Sequence, residues 1–384
     1  MIPVSESRAS SHVLQVRQTA SYRGIRVLAW DGDVLYGCRG YQLHCLNLRF
    51  NALPVAEWQL VASYDPAWWR SLTSRAIITQ RLVRDGFHAL AILQAKDDER
   101  TASQTKHPTI IAAVPGAIVT RTPASNRFRA THKIRRGTRP LHITAVADGT
   151  IYWGEYFDNR ERAEVHIYAS SDRGETWHIA HTFRAGAIRH VHNIIYDRWA
   201  DCLWILTGDE GSECKILRAS CNLRCVEEVL SGNQQARAVA AVPTPDALYL
   251  STDTPFEKNH VLRMDRGGKV DSIADLESSS IFGCRVGNAI FFTTMVEPSS
   301  VNRSREVHLV GSGDQVEWKL LGRWKKDMLS MRYFQYGNAI LPDGYNSTNY
   351  LAATTIAVQD ADLVTTVWEV ESPACAQPQG SLRV

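Results

Sequence analysis

Ser170-Ser171-Asp172-Arg173-Gly174-Glu175-Thr176-Trp177 reads as a tight turn followed by an anchoring aromatic. Asp172 is placed to accept backbone N–H bonds across the turn, Gly174 supplies a positive φ, and Trp177 buries its ring where the next strand begins. A strand-like run, Val165 to Ser170, precedes the turn, and another, Trp177 to Phe183, follows it. Upstream, Arg139 to Val146 runs into Asp148-Gly149 and returns as Thr150 to Tyr156. Four short strands thus follow one another, rich in Val, Ile, Leu, Tyr, Trp and Thr and ended by Gly, Asp, Asn or Pro. The same order recurs at His190–Asp197, Leu203–Asp209, Cys214–Ala219 and Val226–Leu230. Further units open near Arg237, Ile281 and Met328, and two looser ones near Arg23 and His88.

Self-similarity every ~40–50 residues with four strands per unit implies an all-β chain folded as a β-propeller. Seven four-stranded blades are expected, six being the alternative. Residues 21–371 form one propeller domain on this reading, residues 1–20 are a segment able to supply an outer closing strand, and residues 372–384 are a frayed tail. Tyr64–Gln80, with Trp68 and Trp69, fits no strand and reads as an insertion or short helix. A degenerate copy of the turn, Ser312-Gly313-Asp314-Gln315-Val316-Glu317-Trp318, sits between the third and fourth strands of a later unit.

The turn resembles the Asp-box of the sialidase-type (BNR-repeat) propellers, a superfamily of glycoside hydrolases, polysaccharide lyases and non-catalytic relatives. The resemblance implies that Ser170, Asp172, Gly174 and Trp177 are structural and lie on the rim away from the active site. Departures limit what carries over: one box is intact, and Tyr22-Arg23-Gly24-Ile25-Arg26-Val27-Leu28 stands where sialidases have Arg-Ile-Pro. The arginine triad of those enzymes is not assignable.

Strand alternation alone puts inner-strand starts and the loops after second strands on one rim, opposite the turn after the third strand. Inner-strand starts supply His88, Arg139, His142, Arg189, His190, His192, Arg237 and Arg332. After second strands come Glu155-Tyr156, Asp209-Glu210, Asp253-Thr254, Glu297, and Asp343 with Tyr345. A carboxylate therefore recurs in four successive units: Glu155, Asp209, Asp253 and Glu297. Such acids commonly only cap turns, but a ring of them with Arg, His and Tyr interleaved suits a sugar.

His190-Val191-His192-Asn193 is the least ordinary segment, since imidazoles two apart on a strand share a face. Acid–base chemistry, sugar binding, a divalent metal held by His190, His192 and Asp209, and plain buried histidines are all readings of it. The catalytic set expected is His192, His190, Glu155, Tyr156, Asp253 and Asp209. The substrate-binding set is Arg139, His142, His88, Arg237, Glu297, Phe256, Tyr345 and Asn346. Paired carboxylates would serve a glycoside hydrolase, and His, Tyr and Arg together a uronate lyase. A non-catalytic glycan- or protein-binding propeller is the third reading, and no cofactor is expected.

Composition narrows the partners. The chain has 384 residues, 44% hydrophobic and 22% charged, with a net charge of +3, so no global field points to nucleic acid or membrane. Oligo- or polysaccharide is the expected partner, and the chain is expected to be a monomer. Met1-Ile2-Pro3-Val4-Ser5-Glu6-Ser7 is no secretory signal, and no apolar run has spanning length, which suits a cytoplasmic protein, or a secreted one only if a leader has been removed. Eight cysteines (38, 45, 202, 214, 221, 225, 284, 375) make no paired C-x-x-C pattern and read as reduced thiols among apolar strands. P-loop, dinucleotide and G-x-S-x-G motifs are absent.

Overall fold

The computed structural model describes residues 14–48, 56–94 and 108–371, and it explains why the apolar runs are continuous. The second strands Cys202–Gly208, Ala247–Thr252 and Ala289–Thr294 are buried at every position. A strand covered on both faces has no reason to alternate. Fourth strands such as Lys319–Lys325 face water on one side and alternate between half-buried and exposed.

Seven inner strands ring a central channel: Arg26–Gly32, Leu90–Leu93, Thr144–Ala145, His190–Asp197, Ala238–Pro243, Ser280–Val286 and Asn338–Ile340. Each begins a four-stranded antiparallel blade, here numbered one to seven in that order. Blade seven takes its outermost strand from the other end of the chain, where Gln15–Arg23 pairs antiparallel with Val364–Glu371. The ring cannot open without breaking that ladder.

Apolar clusters fill the gaps between neighbouring blades. Val165 and Ile167 of blade three, for example, meet Val191 and Ile194 of blade four. The approach is closest at Gly154, where a Cβ would lie 2.5 Å from the Cβ of Val191. The core is therefore a set of wedges between sheets, and adjacent blades fix each other's angle.

The segment around Trp68 and Trp69 forms two short helices, Trp68–Thr73 and Ile77–Val83. The second is fixed by buried Arg81, which donates to Asp327 at 2.6 Å, to Asp362 at 2.9 Å and to the Phe334 carbonyl at 2.7 Å. Those partners lie in loops of blades six and seven, so the helix reaches over the rim opposite the Ser170–Trp177 turn.

The last unit departs from the sequence reading. Its inner strand is Asn338–Ile340, and the stretch near Met328 is a loop with one helical turn at Met331–Phe334 that carries Arg332. Asp343–Asn346 precedes the second strand, Tyr350–Ile356, and runs parallel to Ala29–Gly32 along the channel wall. The inward edge of blade one has free backbone groups, and this segment pairs with them. Asp343, Tyr345 and Asn346 therefore do not sit in a loop after a second strand.

Residues 1–13, residues 372–384 and Cys375 lie outside the described residues. Among those described, no helix is long and apolar enough to cross a membrane.

Candidate functional site

The Ser170–Trp177 turn is held as its residues dictate. Asp172 accepts from Ser170 Oγ at 2.8 Å, from the Glu175 N–H at 3.1 Å and from the Thr176 N–H at 2.9 Å. Gly174, at φ 82°, donates its N–H to Ser170 Oγ. Trp177 meets Trp153 edge-on at 6.3 Å and donates to Thr131 in the outer strand of blade two. The shorter copy repeats the scheme: Asp314 accepts from the Val316 and Glu317 N–H groups at 2.9 Å, and Trp318 stacks on Phe292. The first turn ties blade three to blade two, and neither turn is in the wall of the channel cavity.

On the opposite rim, blades three to five bring a set of charged and aromatic side chains together. His190 and His192 share the inward face of an inner strand, their Nε2 atoms 3.1 Å apart. Asp209 enters from the end of the second strand of the same blade, 3.2 Å from His192 Nε2 and 3.5 Å from His190 Nε2. Arg189 lies 3.1 Å from one Asp209 oxygen. Arg237, from the next blade, puts one Nη2 3.4 Å from Asp209 and 3.5 Å from Asp253. The two carboxylates thus share a guanidinium nitrogen and stand no farther apart than those distances laid end to end. Tyr156 packs its ring 4.3 Å from that of His190. Glu297 accepts from Ser279 Oγ at 2.9 Å on the far side of Asp253.

Burial sets different protonation states within this set. Asp253 is pushed up to about 7 by desolvation, with Glu297 and Asp209 adding to the rise and Arg237 opposing it. One of its oxygens is buried with no hydrogen-bond partner. Asp209 is desolvated too, but hydrogen bonds and charge from the two histidines hold it well below the usual carboxylate range. Desolvation lowers His192 and raises Tyr156 to about 12. Arg189 and Asp209 keep 22% and 17% of their side chains exposed, so solvent reaches the cluster at blade four.

Other expected residues lie elsewhere. Glu155 points away from the cluster, ion-paired with Arg136 and accepting the His166 N–H at 2.9 Å. Phe256 is 61% exposed on its loop. Arg139 donates to the Arg84 carbonyl at 2.7 Å. His88 is half-buried, and burial together with the nearby charges of Arg139 and Arg26 holds it well below the usual histidine range. Basic groups thus gather on the rim around His88, while at blades four and five carboxylates are interleaved with Arg189 and Arg237.

A cavity of about 780 Å³ occupies the channel on the side of the Ser170–Trp177 turn. His142 is in its wall, 2.9 Å from Asp343. Arg198 lies 4.5 Å over Trp199 and 4.8 Å over Tyr345 at the mouth, and Arg285 lies 5.2 Å over Trp199. Asn346 also lines this cavity. Tyr345, Asn346 and His142 therefore belong to the channel rather than to the rim cluster, because the parallel segment carries blade seven's loop inward. The sequence reading passed over Arg198 and Trp199: they are turn residues in blade four, and nothing local says that the turn faces a channel.

No protein-family model matches the chain, and no curated protein does. Among solved structures it is similar to the WD40 β-propeller domain of Doa1, with a TM-score of 0.52 and 9% identity over 92% of this chain and 97% of that one. It is also similar to the extracellular domain of BT4673 from B. thetaiotaomicron, with a TM-score of 0.51 and 10% identity over 96% of this chain and 43% of that one. An ancestral GH74 enzyme aligns with a TM-score of 0.49 and 9% identity over 94% of this chain and 48% of that one. At such identities the likeness defines the fold alone. The chain is a seven-bladed β-propeller.

Proposed function

We propose that the protein is a glycoside hydrolase acting on an oligo- or polysaccharide, with Asp253 as its proton donor. The observation that carries this reading is the contrast between two carboxylates held by one guanidinium. Asp253 keeps its proton up to about pH 7, while Asp209 stays ionised among histidines. Two acids in environments that separate their proton affinities are the usual basis of acid–base division of labour.

In the proposed reaction Asp253 gives its proton to the glycosidic oxygen as the C–O bond breaks. A water, oriented by the acceptor atoms around Asp209, attacks the anomeric carbon and loses a proton to them. The sum is one water added across one bond. The resemblance of the Ser170–Trp177 turn to an Asp-box supports the carbohydrate class. Lyase chemistry has less support, because a phenol pushed up to about 12 resists acting as base at neutral pH, and Arg139 is bonded elsewhere. A purely binding role is the second reading, favoured by the aromatic and arginine side chains at the channel mouth.

The test is incubation with a broad glycan panel. New reducing ends without a conjugated-alkene absorbance, lost in Asp253→Asn, support hydrolysis. Alkene absorbance points to the lyase, and retained binding without any product to the binder.

A further inference from the structure

We propose that His190, His192 and Asp209 form a binding site for a divalent transition-metal ion. The argument begins with the other side of each imidazole. His190 Nδ1 lies 3.0 Å from the Phe157 carbonyl oxygen, and His192 Nδ1 lies 2.9 Å from the Ala238 carbonyl oxygen. A carbonyl only accepts, so each Nδ1 carries a hydrogen, and a neutral ring then presents a bare lone pair at Nε2, where a protonated ring would instead donate to Asp209.

Those two lone pairs face each other at 3.1 Å. Carboxylate oxygens of Asp209 lie 3.2 Å from one and 3.5 Å from the other. With both rings neutral, the two lone pairs and the carboxylate repel one another unless a cation, a metal ion or a proton, stands between them. A tetrahedral ion with metal–nitrogen bonds of about 2.0–2.1 Å has ligand–ligand edges of about 3.3 Å, so the spacing fits. Carbonyl partners on the far ring nitrogens are also how metal-binding histidines are commonly oriented. Two imidazoles and one carboxylate suit zinc, cobalt, manganese or iron(II) and leave a coordination position open.

Charge identifies what fills that position. Arg189 and Arg237 approach Asp209 and are also paired with Asp158 and Asp253, so Asp158 and Asp209 offset the two arginines and a dication adds two charges of which Asp253 offsets at most one. The open position therefore takes an anion, a hydroxide or an oxyanion. The competing occupant of the same point is a proton shared by the two Nε2 atoms. This inference concerns occupancy and does not depend on the chain being a hydrolase.

The experiment uses the full chain, stripped with chelator and titrated with cobalt(II) and zinc(II) by calorimetry, with the visible cobalt spectrum recorded. One bound equivalent is expected, with ligand-field bands but no thiolate-to-cobalt charge transfer, and a zinc-dependent rise in Tm. Asp209→Asn keeps the shape of the side chain, and His192→Ala removes a ligand. Each, checked by circular dichroism, is expected to weaken binding by about 100-fold or more. No binding by the wild-type chain, affinity unchanged in the folded variants, or a sulfur-to-cobalt band would each overturn the proposal. Stabilisation by acid alone, with no response to metal, would assign the point to a proton.

Discussion

Replacing Asp253 by Asn makes the protein more stable at alkaline pH, and the size of the effect follows from the site. The Asp253 carboxyl rises from 3.8 to about 7 because it is buried near Glu297 and Asp209, with Arg237 only partly compensating and Ser279 giving a weaker opposing contact. At 1.36 kcal/mol per pK unit, that shift corresponds to about 4 kcal/mol. The sign is fixed by which state holds the proton. Between about pH 4 and 7 the folded chain binds a proton that the unfolded chain has released, so stability falls as pH rises through this window and levels off above it. Asp253→Asn removes the titration while keeping the shape. Variant and wild type should therefore match near pH 4, and the variant should gain by up to about 4 kcal/mol near pH 8. Urea midpoints of both proteins from pH 4 to 9 read this difference directly. A pH-independent difference, or a wild type that gains on the variant as pH rises, would refute the reasoning.

Three further outcomes follow from the packing and the turns. Gly154→Ala places a methyl 2.5 Å from Val191 and should cost about 1–3 kcal/mol as blades three and four are forced apart, a loss that a lower Tm would register. Arg81→Ala leaves Asp327, Asp362 and the Phe334 carbonyl without their buried partner. That change should destabilise by about 3–5 kcal/mol, and hydrogen exchange should show faster exchange in Ile77–Val83 first. Asp172→Ala removes the acceptor of the turn's N–H groups and should cost about 1–2 kcal/mol in denaturant unfolding while leaving ligand binding at the opposite rim unchanged.

The blade repeat was legible because second strands are buried on both faces and write themselves as unbroken apolar runs, as Cys202 to Leu206 does. Alternation of strand direction was enough to place His190, His192, Asp209, Arg237 and Asp253 on one rim. Side-chain direction was not legible at Glu155, because its partner Arg136 comes from a loop 19 residues away. Blade seven misled for a different reason. A three-residue inner strand carries almost no periodic signal, and the parallel pairing of Asp343–Asn346 with Ala29–Gly32 joins segments from opposite ends of the chain. The channel mouth was missed with it, since Arg198 and Tyr345 meet only once that segment is in place.

The most direct test of Asp253 as proton donor is the pH profile of reducing-end release from a hydrolysed glycan. Turnover should decline as pH rises through about 7, where Asp253 gives up its proton, and Asp253→Asn should abolish the activity that carries this limb. An alkaline limb far from that value, or one that survives in Asp253→Asn, would contradict the assignment.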